Sequence, residues 1–395
     1  MRILMIGWYK PQIGGGSHVI QNIVYQLKGS HEIYVINMEE KGLPYLGHWN
    51  DNGVEVFQER IYSNLYSPIQ TMFQTTKRAI LLKRKIKPDL YHVHGSFSAG
   101  IGFVDKKTPM VLTMHGYPSL ETVAIGRIKP NSIQFNLIRK LEIESAKRAD
   151  AVIAVDKRIY KWIIEDLNIA PNKVFYLPNA VDTRIFSPES DGRVIRKKYN
   201  VCRVPIISFI KGFSPKNGPA IIIKAMKYVV KEYPTAVLLM VGDGPLRPSL
   251  EKLVVDHKLE KNVIFTGRKS PEETPSYFAA SDIITVPSVH IAGVEEATSL
   301  TMLEAMSSGK PVVVSDIGGL KETINDGGNG KIGIVFKENN PKDLALKIIS
   351  LLDDPKRRRK IGYNARKYVV SKKSWEAYAE KLLDIYEYAI RSKKG

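Results

Sequence analysis

The stretch EEATSLTMLEAMSSGKPVVVSDIGG (295–319) decides the fold, because it places a helix directly before a short apolar strand. We expect the helix to begin near Thr298 or Ser299, and PVVVSD (311–316) is short and β-branched, as buried strands are. The two glycines that end the stretch permit a close backbone approach at a further helix entrance. This alternation predicts an α/β domain with a parallel sheet covered on both faces.

The same alternation extends outward in both directions. Amphipathic segments such as SHVIQNIVYQLKG (17–29) separate apolar runs that predict strands. The runs of the first half are RILMIG (2–7), EIYVIN (32–37), LYHVHG (90–95), MVLTMHG (110–116), AVIAV (151–155) and VFYLP (174–178). The runs of the second half are PIISFIKG (205–212), AVLLMVGDG (236–244), VIFTG (263–267), IITVPS (283–288), PVVVSD (311–316) and GIVF (333–336).

The chain is therefore predicted to be α/β with two Rossmann-like doubly wound domains facing each other across a cleft. PNAVDTRIFSPESDG (178–192) has two prolines and no strong period, so it is interpreted as the interdomain linker. We place the first domain at 1–182 plus 375–395 and the second at 183–374. The amphipathic segment SWEAYAEKLLDIYEYAI (374–390) is expected to fold back across the hinge.

Composition limits the classes of protein. The 395 residues have 44% hydrophobic side chains, a net charge of +19 and a single cysteine, Cys202, which fits a reducing compartment. The sequence shows neither a secretory signal nor a membrane-spanning run, so we expect a cytoplasmic protein. The positive net charge predicts anionic binding partners such as phosphates, nucleic acid or an acidic membrane surface. The alternative is that the charge belongs to the lysine-rich surface of a thermophilic protein.

Glycines follow the first predicted strand. Gly14, Gly15 and Gly16 lead into a helix that Ser17 is expected to cap, and backbone without side chains can approach a phosphate closely. A simple flexible loop is an equally good interpretation. The glycines match a dinucleotide fingerprint poorly, because Val19 occupies the position that needs Gly or Ala, although Glu39 and Glu40 after the second strand keep that interpretation open.

Three histidines lie at predicted strand ends. His92 and His94 alternate along one strand and so point the same way, and His115 ends the next strand. Zinc binding is one interpretation, although no second cysteine or HExxH pattern accompanies them. A core histidine with its hydrogen bonds satisfied is favoured for His92, whereas His115 is the better functional candidate because its end of the sheet is expected to face the cleft.

Two cations follow the first strand of the second domain. Lys211 and Lys216 flank a loop before the next helix, and two cations in a βα loop suit a diphosphate. Solvated surface charge is the alternative interpretation.

Two acids flank the helix entrance in the opening stretch. Ser299 and Leu300 are expected to offer free backbone N–H groups to a phosphate, with Glu296 before the turn and Glu304 about a turn after it. Such an order can hold a nucleotide sugar along its length. Two other interpretations stay open, a capped surface helix and a later start at Thr301 in a capping box with Glu304.

At these residues the chain resembles the glycosyltransferase family 4 enzymes, retaining sugar transferases of the GT-B fold. The resemblance spans nearly the whole chain, and its most specific part is E-x7-E, Glu296 to Glu304 followed by EAMSSGKPVVVSDIGG (304–319). The supporting motifs are the glycine loop, DLYHVHG (89–95), TMHG (113–116), LPNAVDTRIF (177–186), VGDGP (241–245) and FTGR (265–268).

The resemblance implies a role for each matching position. It implies that Glu296 contacts the transferred sugar near its 3- and 4-hydroxyls, that Glu304 binds the ribose, and that His115 lies against the donor sugar. It also places Gly14, Gly15 and Gly16 near the diphosphate and acceptor and Arg268 beside the base. The remaining donor-binding candidates are Lys211, Lys216, Asn217, Thr298, Ser299 and Leu300.

The sequence departs from the family at two places. The family commonly has Gly-Arg-Leu-x-x-x-Lys-Gly, where this chain has Lys211, Gly212, Phe213 and then Asn217, Gly218. Both usual cations are missing, and Lys211 and Lys216 each stand one residue before the position of the family's Arg or Lys. They are expected to substitute for these cations; otherwise donor binding is weakened, or the protein is a degenerate transferase. The chain also has Ala297, Thr298 and Ser299 where the family often has Gly-Phe-Gly, which is expected to narrow the choice of donor sugar.

The chain has no Asp-x-Asp sequence, so we expect a metal-independent enzyme without cofactors whose donor is a nucleotide-diphosphate sugar. Two basic segments, KRAILLKRKIKP (77–88) and RIKPNSIQFNLIRK (127–140), suggest docking on anionic lipid and a lipid-linked acceptor at the inner face of the membrane. Ordinary solvated helix faces are the alternative. A third basic segment, PKRRRKIGYNARKYVVSKK (355–373), falls in the second domain.

Two other functions are considered as alternatives to sugar transfer. A nucleic-acid-binding protein would suit the charge, but no recognised module with interleaved aromatics is apparent, so nucleic acid is not expected as a partner. A nucleotide-sugar epimerase of the same fold is the other rival, and the E-x7-E spacing speaks against it.

Overall fold

The computed structural model describes residues 1–10, 15–38, 46–59, 68–124, 126, 128–291 and 299–394. The chain divides into two compact units, one formed by Met1–Asn179 with Trp375–Gly395 and the other by Ala180–Ser374. The sequence-based boundary lay three residues later, after residue 182.

The first unit is built on an eight-stranded sheet within the described residues, in the order β3-β4-β2-β1-β5-β6-β7-β8. All neighbours are parallel except β3 and β4. The strands are β1 (Arg2–Gly7), β2 (Glu32–Met38), β3 (His48–Asp51), β4 (Val54–Glu59), β5 (Leu90–His94), β6 (Met110–Met114), β7 (Ala151–Ala154) and β8 (Val174–Tyr176). The alternation of strands with helices therefore produces the predicted parallel sheet.

The antiparallel hairpin at the edge of this sheet was not predicted. Strands β3 and β4 are joined at Asn52 and Gly53, whose φ angles are 55° and 92°. Asn-Gly is the dipeptide that tight hairpin turns with positive φ prefer. The signal for the hairpin was therefore present at Asn52–Gly53, but the short strands on either side lack a strong apolar run.

Six helices of the first unit precede the linker in the described residues. They are α1 (Gly15–Leu27), α2 (Pro68–Ile86), α3 (Ile101–Val104), α4 (Pro118–Ala124), α5 (Ile133–Arg148) and α6 (Lys157–Glu165). One side of the sheet is packed with helix side chains such as Leu82 and Ile159, which join Leu4, Val93 and Leu112 in one apolar cluster. Because the strands are buried throughout, β6 and β7 are almost entirely apolar, whereas β5 carries two buried histidines between its apolar residues.

The second unit has a six-stranded parallel sheet in the order β11-β10-β9-β12-β13-β14. Its strands are β9 (Ile206–Ile210), β10 (Val237–Val241), β11 (Val263–Gly267), β12 (Ile283–Val286), β13 (Val312–Ser315) and β14 (Ile334–Phe336). Its helices are α7 (Arg193–Lys198), α8 (Pro219–Glu232), α9 (Arg247–Asp256), α10 (Thr274–Ala280), α11 (Leu300–Ser307), α12 (Gly318–Gly327), α13 (Pro341–Asp353) and α14 (Pro355–Lys372). Two apolar clusters, one on each face of the sheet, form its core.

The last helix, α15 (Trp375–Lys394), returns to the first unit, where it packs on α1, β6 and β7. Its buried face carries Trp375, Tyr378, Leu382 and Tyr386. The burial of this apolar face explains why the amphipathic segment returns to the first unit, as predicted. Across the described parts of the chain, no helix is both long enough and apolar enough to span a bilayer.

Candidate active site

Helix α11 begins at Leu300 in the second unit, with Ser299 as its N-cap residue. Ser299 is only 1% exposed, and its Oγ has no hydrogen-bond partner among the described residues. The first backbone N–H groups of a helix also lack acceptors within the helix. The N-terminal end of α11 therefore presents several hydrogen-bond donors that no group of the helix itself satisfies. Glu296 and Thr298, which the sequence placed here, lie outside the described residues.

The first turn of α11 is fixed to the neighbouring strand. Thr301 Oγ1 donates to the carbonyl oxygen of Ile210, 3.0 Å away, at the end of β9. The hydroxyl of Thr301 is thus committed to another element, so the alternative start of the helix at Thr301 in a capping box is wrong.

Glu304 lies one turn further along α11. Burial raises the pKa of its carboxyl group to about 7, and the nearby charge of Lys211 opposes this shift. Among the described residues, that carboxyl group makes no hydrogen bond. Glu304 is therefore a partly buried acid near the donor-rich end of α11, placed to accept hydrogen bonds from a ligand once it is ionised.

The two lysines of the loop after β9 have different surroundings. Lys211 is partly buried, and its Nζ lies 3.4 Å from Ser288 Oγ at the end of β12. Lys216 is exposed, and its carbonyl oxygen accepts from the backbone N–H of Val289 at 2.8 Å. Lys211 is thus held near α11 by its contacts, whereas the side chain of Lys216 extends into solvent.

Asn217 is a buried residue of the same loop. Its Nδ2 donates to the carbonyl oxygen of Gly212 at 2.8 Å, while its Oδ1 has no partner among the described residues. Gly218 follows with φ 65°, and a Cβ there would lie 1.9 Å from the carbonyl oxygen of Pro287. Only glycine fits that position, so the loop is pressed against the end of β12.

Arg268 follows the last residue of β11, and its side chain is exposed. It lies at the carboxyl end of the same sheet as Lys211 and α11. In doubly wound sheets ligands bind at this edge. The second unit therefore brings Lys211, Asn217, Arg268, Ser299 and Glu304 to one edge of its sheet.

The glycine loop of the first unit is only partly described. Gly14 lies outside the described residues, Gly15 is the first residue of α1, and a Cβ on Gly16 would meet open space. The expected cap at Ser17 is wrong, because Ser17 lies inside α1, where its Oγ donates to the carbonyl oxygen of Tyr9 at 3.2 Å. Ser17 instead ties the helix to the segment that precedes the glycines.

The residues just before the glycine loop, Tyr9 and Lys10, are held in place by side chains that sequence analysis did not single out. The buried Asn37, at the end of β2, accepts from the backbone N–H of Tyr9 at 2.7 Å and donates to the carbonyl oxygen of Lys10 at 2.8 Å. The Tyr9 hydroxyl donates to Asp51 of β3 at 2.8 Å. The chain leading into the glycine loop is thus held by partners up to 42 residues away, which no local motif announces.

The three histidines lie in a row at the carboxyl ends of β5 and β6. The ring centroids of His92 and His94 are 4.2 Å apart, and those of His94 and His115 are 5.3 Å apart with nearly parallel planes. Burial lowers the pKa of His92 to about 3 and that of His115 to about 4. Within the described residues, no three metal-ligating side chains are grouped to hold an ion.

His92 has both ring nitrogens bonded. Its Nδ1 lies 2.7 Å from the hydroxyl of Tyr386 on α15, and its Nε2 lies 2.8 Å from Thr113 Oγ1 on β6. His92 is therefore a core histidine whose hydrogen bonds join three elements, and Tyr386 is a partner that sequence reasoning missed.

A buried acid supports the loop after His115. Glu142 on α5 accepts from the backbone N–H and the Oγ of Ser119, at 2.7 and 2.8 Å. Burial raises the pKa of Glu142 to about 7. Glu142 thus fixes the start of α4, four residues after His115, and no sequence motif marked it.

Two family models match complementary parts of the chain. The model described as Glycosyltransferase Family 4 matches residues 13–185, and the model described as Glycosyl transferases group 1 matches residues 193–368. The chain belongs to glycosyltransferase family 4. The resemblance drawn from Glu296, Glu304 and the motifs around them is thereby confirmed.

Two relatives illustrate how much of this chain aligns: one aligns with nearly the whole chain, the other with about half. An uncharacterized glycosyltransferase of Methanocaldococcus jannaschii is 27% identical over 98% of this chain and 98% of its own length. A GDP-mannose-dependent monoacylated alpha-(1-6)-phosphatidylinositol monomannoside mannosyltransferase of Corynebacterium glutamicum is 33% identical over 54% of this chain and 55% of its own length. The chain is accordingly a glycosyltransferase.

Solved structures confirm the GT-B fold. Sucrose-phosphate synthase of Thermosynechococcus elongatus matches with a TM-score of 0.79 at 20% identity, covering 99% of both chains. HepE of Anabaena, solved in complex with UDP-glucose, matches with a TM-score of 0.73 at 18% identity, covering 98% of this chain and 99% of its own. The predicted fold class is therefore confirmed for this family 4 enzyme.

Proposed function

We propose that this glycosyltransferase moves a sugar, with retention, from a nucleotide-diphosphate sugar to a hydroxyl acceptor, without a metal ion. The observation that carries the proposal is the start of α11, where the buried Ser299 Oγ, which has no partner among the described residues, lies beside the N-terminal amides. Such an end binds anions, because the N–H groups point at the ligand and the helix dipole favours negative charge.

The diphosphate of the donor is proposed to bind at this end of α11. The amides at Ser299 and Leu300 donate to its oxygens, and Lys211, placed by Ser288, adds a positive charge. Lys216 is long and exposed, so it can reach the same phosphates from solvent. Removing one donor to a developing negative charge typically costs about 10²-fold to 10³-fold in rate.

The sugar and nucleoside groups of the donor are assigned by the family resemblance. Glu304 accepts from the ribose hydroxyls, which suits a partly buried carboxyl group without a protein hydrogen bond among the described residues. Glu296 contacts the transferred sugar, Thr298 adds a hydroxyl contact, and Arg268 lies beside the base. UDP-glucose in HepE makes uridine sugars one candidate donor, and the GDP-mannose dependence of the corynebacterial relative makes guanosine sugars another.

The first unit is proposed to bind the acceptor and to supply His115. His115 is neutral near pH 7, because burial lowers its pKa to about 4, so it can donate one hydrogen bond to a donor-sugar oxygen. Gly14, Gly15 and Gly16 lie near the diphosphate and acceptor in this proposal. Their lack of side chains admits the ligand closely.

Retention follows when the acceptor attacks from the face that the diphosphate leaves. The departing phosphate oxygen takes the acceptor proton, so a general-base carboxylate is not obligatory, and positioning plus electrostatics supply most of the rate. Full activity in excess chelator is expected; complete loss of transfer in chelator would contradict metal independence.

The acceptor is proposed to be lipid-linked and presented at an anionic inner membrane surface. Helix α2 has Phe73 and Leu81 on one exposed face, 65% and 52% exposed, with Lys77 between them. A second exposed apolar pair, Ile133 and Leu137, lies on α5, which begins at Ile133. Apolar side chains among cations suit the interface of an anionic bilayer.

Vesicle co-sedimentation tests this partner. At low salt the protein is expected to pellet with phosphatidylglycerol vesicles and to stay in solution with phosphatidylcholine vesicles. The double variant Phe73→Ser/Leu81→Ser should bind less, whereas Tyr363→Ser, an exposed aromatic on α14, is the matched control. Equal pelleting with both lipids would contradict docking.

The donor is tested by thermal shift with UDP-, GDP- and ADP-sugars. A ligand present at 100 times its dissociation constant stabilises the folded protein by about 2.7 kcal/mol. One nucleotide class should raise the melting temperature of the wild type, and Glu304→Gln should reduce that rise while Lys367→Ala, an exposed substitution, leaves it unchanged. No shift with any nucleotide sugar would contradict the proposed donor.

A further inference from the structure

The hydrogen bond between His94 and His115 has a direction that the surrounding structure decides. His94 Nδ1 lies 3.0 Å from His115 Nε2. His94 is 1% exposed and packs against Gly7, where an added Cβ would lie 3.0 Å from His94 Cβ. In a pair of neutral imidazoles, one nitrogen of the contact carries the proton and the other accepts it.

The neighbouring His92 does not share in this bond. Tyr386 is buried and burial raises the pKa of its hydroxyl, so that group keeps its proton and can donate to His92 Nδ1. His92 Nε2 then carries its own proton and donates to Thr113 Oγ1. The tautomer of His92 is set by these two partners, and in the described part of the chain His94 has only His115 as a hydrogen-bond partner.

The other ring nitrogen of His94 distinguishes the two possible directions. His94 Nε2 is buried and has no hydrogen-bond partner among the described residues. If His115 donated, His94 would carry its proton on this nitrogen, as a buried N–H group without an acceptor. Nε2 is unpaired in either direction, but buried N–H groups without partners are rarer in proteins than under-satisfied acceptors, which favours the direction in which Nε2 carries no proton.

We propose that His94 carries its proton on Nδ1 and donates it to His115 Nε2, so that His115 is held as the Nδ1–H tautomer. His94 is then a positioning residue: it leaves His115 with a single N–H donor, at Nδ1. His115 Nδ1 makes no hydrogen bond within the described residues, so that donor is available to an oxygen of the substrate.

The expected effect on catalysis rests on the proposed function, in which His115 contacts the donor sugar. The tautomer of His115 does not depend on that function. Burial lowers the pKa of His94 as well as that of His115, so both rings are neutral near pH 7 and the tautomer is well defined. A histidine fixed in the wrong tautomer is a poor catalyst even when its position is unchanged.

The tautomer is measured directly by ¹H–¹⁵N correlation spectra of the full chain labelled in its histidine rings. The His115 resonances are assigned by their loss in His115→Gln. We expect His115 Nδ1 to be protonated and Nε2 unprotonated; the reverse pattern would overturn the proposal. This readout needs no substrate, so it holds even if no sugar donor for the enzyme is found.

Three substitutions at His94 separate hydrogen bonding from packing. Asn places an N–H donor where Nδ1 lies, Asp places only an acceptor there, and Leu fills the volume without either. We expect His94→Asn to keep kcat within about 3-fold, and His94→Asp and His94→Leu to lower it at least about 10-fold with KM little changed.

Stability and tautomer controls keep this series interpretable. The spectrum of His115 in His94→Asn should match the wild type, whereas in His94→Leu the protonated fraction at Nδ1 should fall. Exposed His18→Asn is the matched control and should change neither quantity. Equal kcat in the Asn and Leu variants, with unchanged His115 spectra in both, would contradict the positioning role.

Discussion

The hydroxyl of Thr301 and the carbonyl oxygen of Ile210 are 3.0 Å apart, which joins the first turn of α11 to the end of β9. Since Lys211 follows Ile210 directly, this bond sets the distance between the proposed phosphate-binding helix and the proposed phosphate-binding cation. Thr301→Val keeps the shape but removes the donor, so it should destabilise the second unit by about 1 kcal/mol and weaken donor binding. Calorimetric titration with the donor measures this; Thr301→Ser should restore it, and unchanged affinity in Thr301→Val would contradict it.

Donor binding should strengthen as the pH rises through 7. Burial raises the pKa of Glu304 to about 7, so below that pH the carboxyl group must lose a proton before it can accept from two ribose hydroxyls. The dissociation constant of the donor should therefore fall about 10-fold between pH 6 and pH 8. In Glu304→Gln this pH dependence should disappear, and an identical pH dependence in that variant would assign it to another group.

The raised pKa of Glu304 also predicts that, without a donor, the folded protein becomes less stable as the pH rises. The folded pKa of Glu304 lies above the ordinary value of 4.5, so its contribution to stability is complete below pH 4.5 and is lost as the pH rises through 7. Compared with Glu304→Gln, the wild type should lose stability over that interval. Denaturant unfolding at pH 5 and pH 8 measures the difference, and a wild type that gains relative stability at pH 8 would contradict the shift.

Tyr386 should be needed for the stability of the first unit. Tyr386→Phe removes the hydroxyl that lies 2.7 Å from His92 Nδ1 and leaves that buried nitrogen unpaired, at a cost of about 1–3 kcal/mol. Tyr388→Phe on the same helix is the control, because the Tyr388 hydroxyl makes no hydrogen bond in the described residues and its ring packs on Phe175. Equal unfolding free energies for the two variants would refute the role of the His92 bond.

Arg366 on α14 should hold the far end of α11. Its Nη1 donates to the carbonyl oxygens of Thr183, Phe186 and Ser307, at 2.8, 2.9 and 2.8 Å. Arg366→Ala removes the donor from three carbonyl groups at once and should destabilise the second unit by about 3 kcal/mol. Lys367→Ala, an exposed neighbour, should change stability by less than about 0.5 kcal/mol. Similar losses in both variants would contradict the Arg366 account.

Strands were predictable where burial on both faces makes them continuous apolar runs. Each of the twelve predicted runs contains a strand, from β1 at Arg2–Gly7 to β14 at Ile334–Phe336. The hairpin of β3 and β4 escaped because its exposed edge strand has no such run, although Asn52–Gly53 marks the turn. Apolar periodicity thus reveals the interior of a sheet better than its edge.

The site was predictable where a local motif carries it and not where long-range contacts build it. Ser299, Glu304 and His115 stand in recognisable stretches, and their sequence neighbours indicate the element that each begins or ends. Asn37 and Glu142 act through partners 28 and 23 residues away, so nothing beside them in the sequence distinguishes them from ordinary polar residues. The expected cap at Ser17 failed because α1 begins two residues earlier, at Gly15, so the Ser17 hydroxyl lies within the helix and bonds to Tyr9.

The central claim is that the donor diphosphate binds at the start of α11. A crystal structure of the chain with the nucleotide sugar that gives the largest thermal shift tests it most directly. The account predicts diphosphate oxygens about 3 Å from the first backbone nitrogens of α11, with the Glu304 carboxylate at the ribose. A diphosphate bound elsewhere, with the amides after Ser299 facing only solvent, would contradict it.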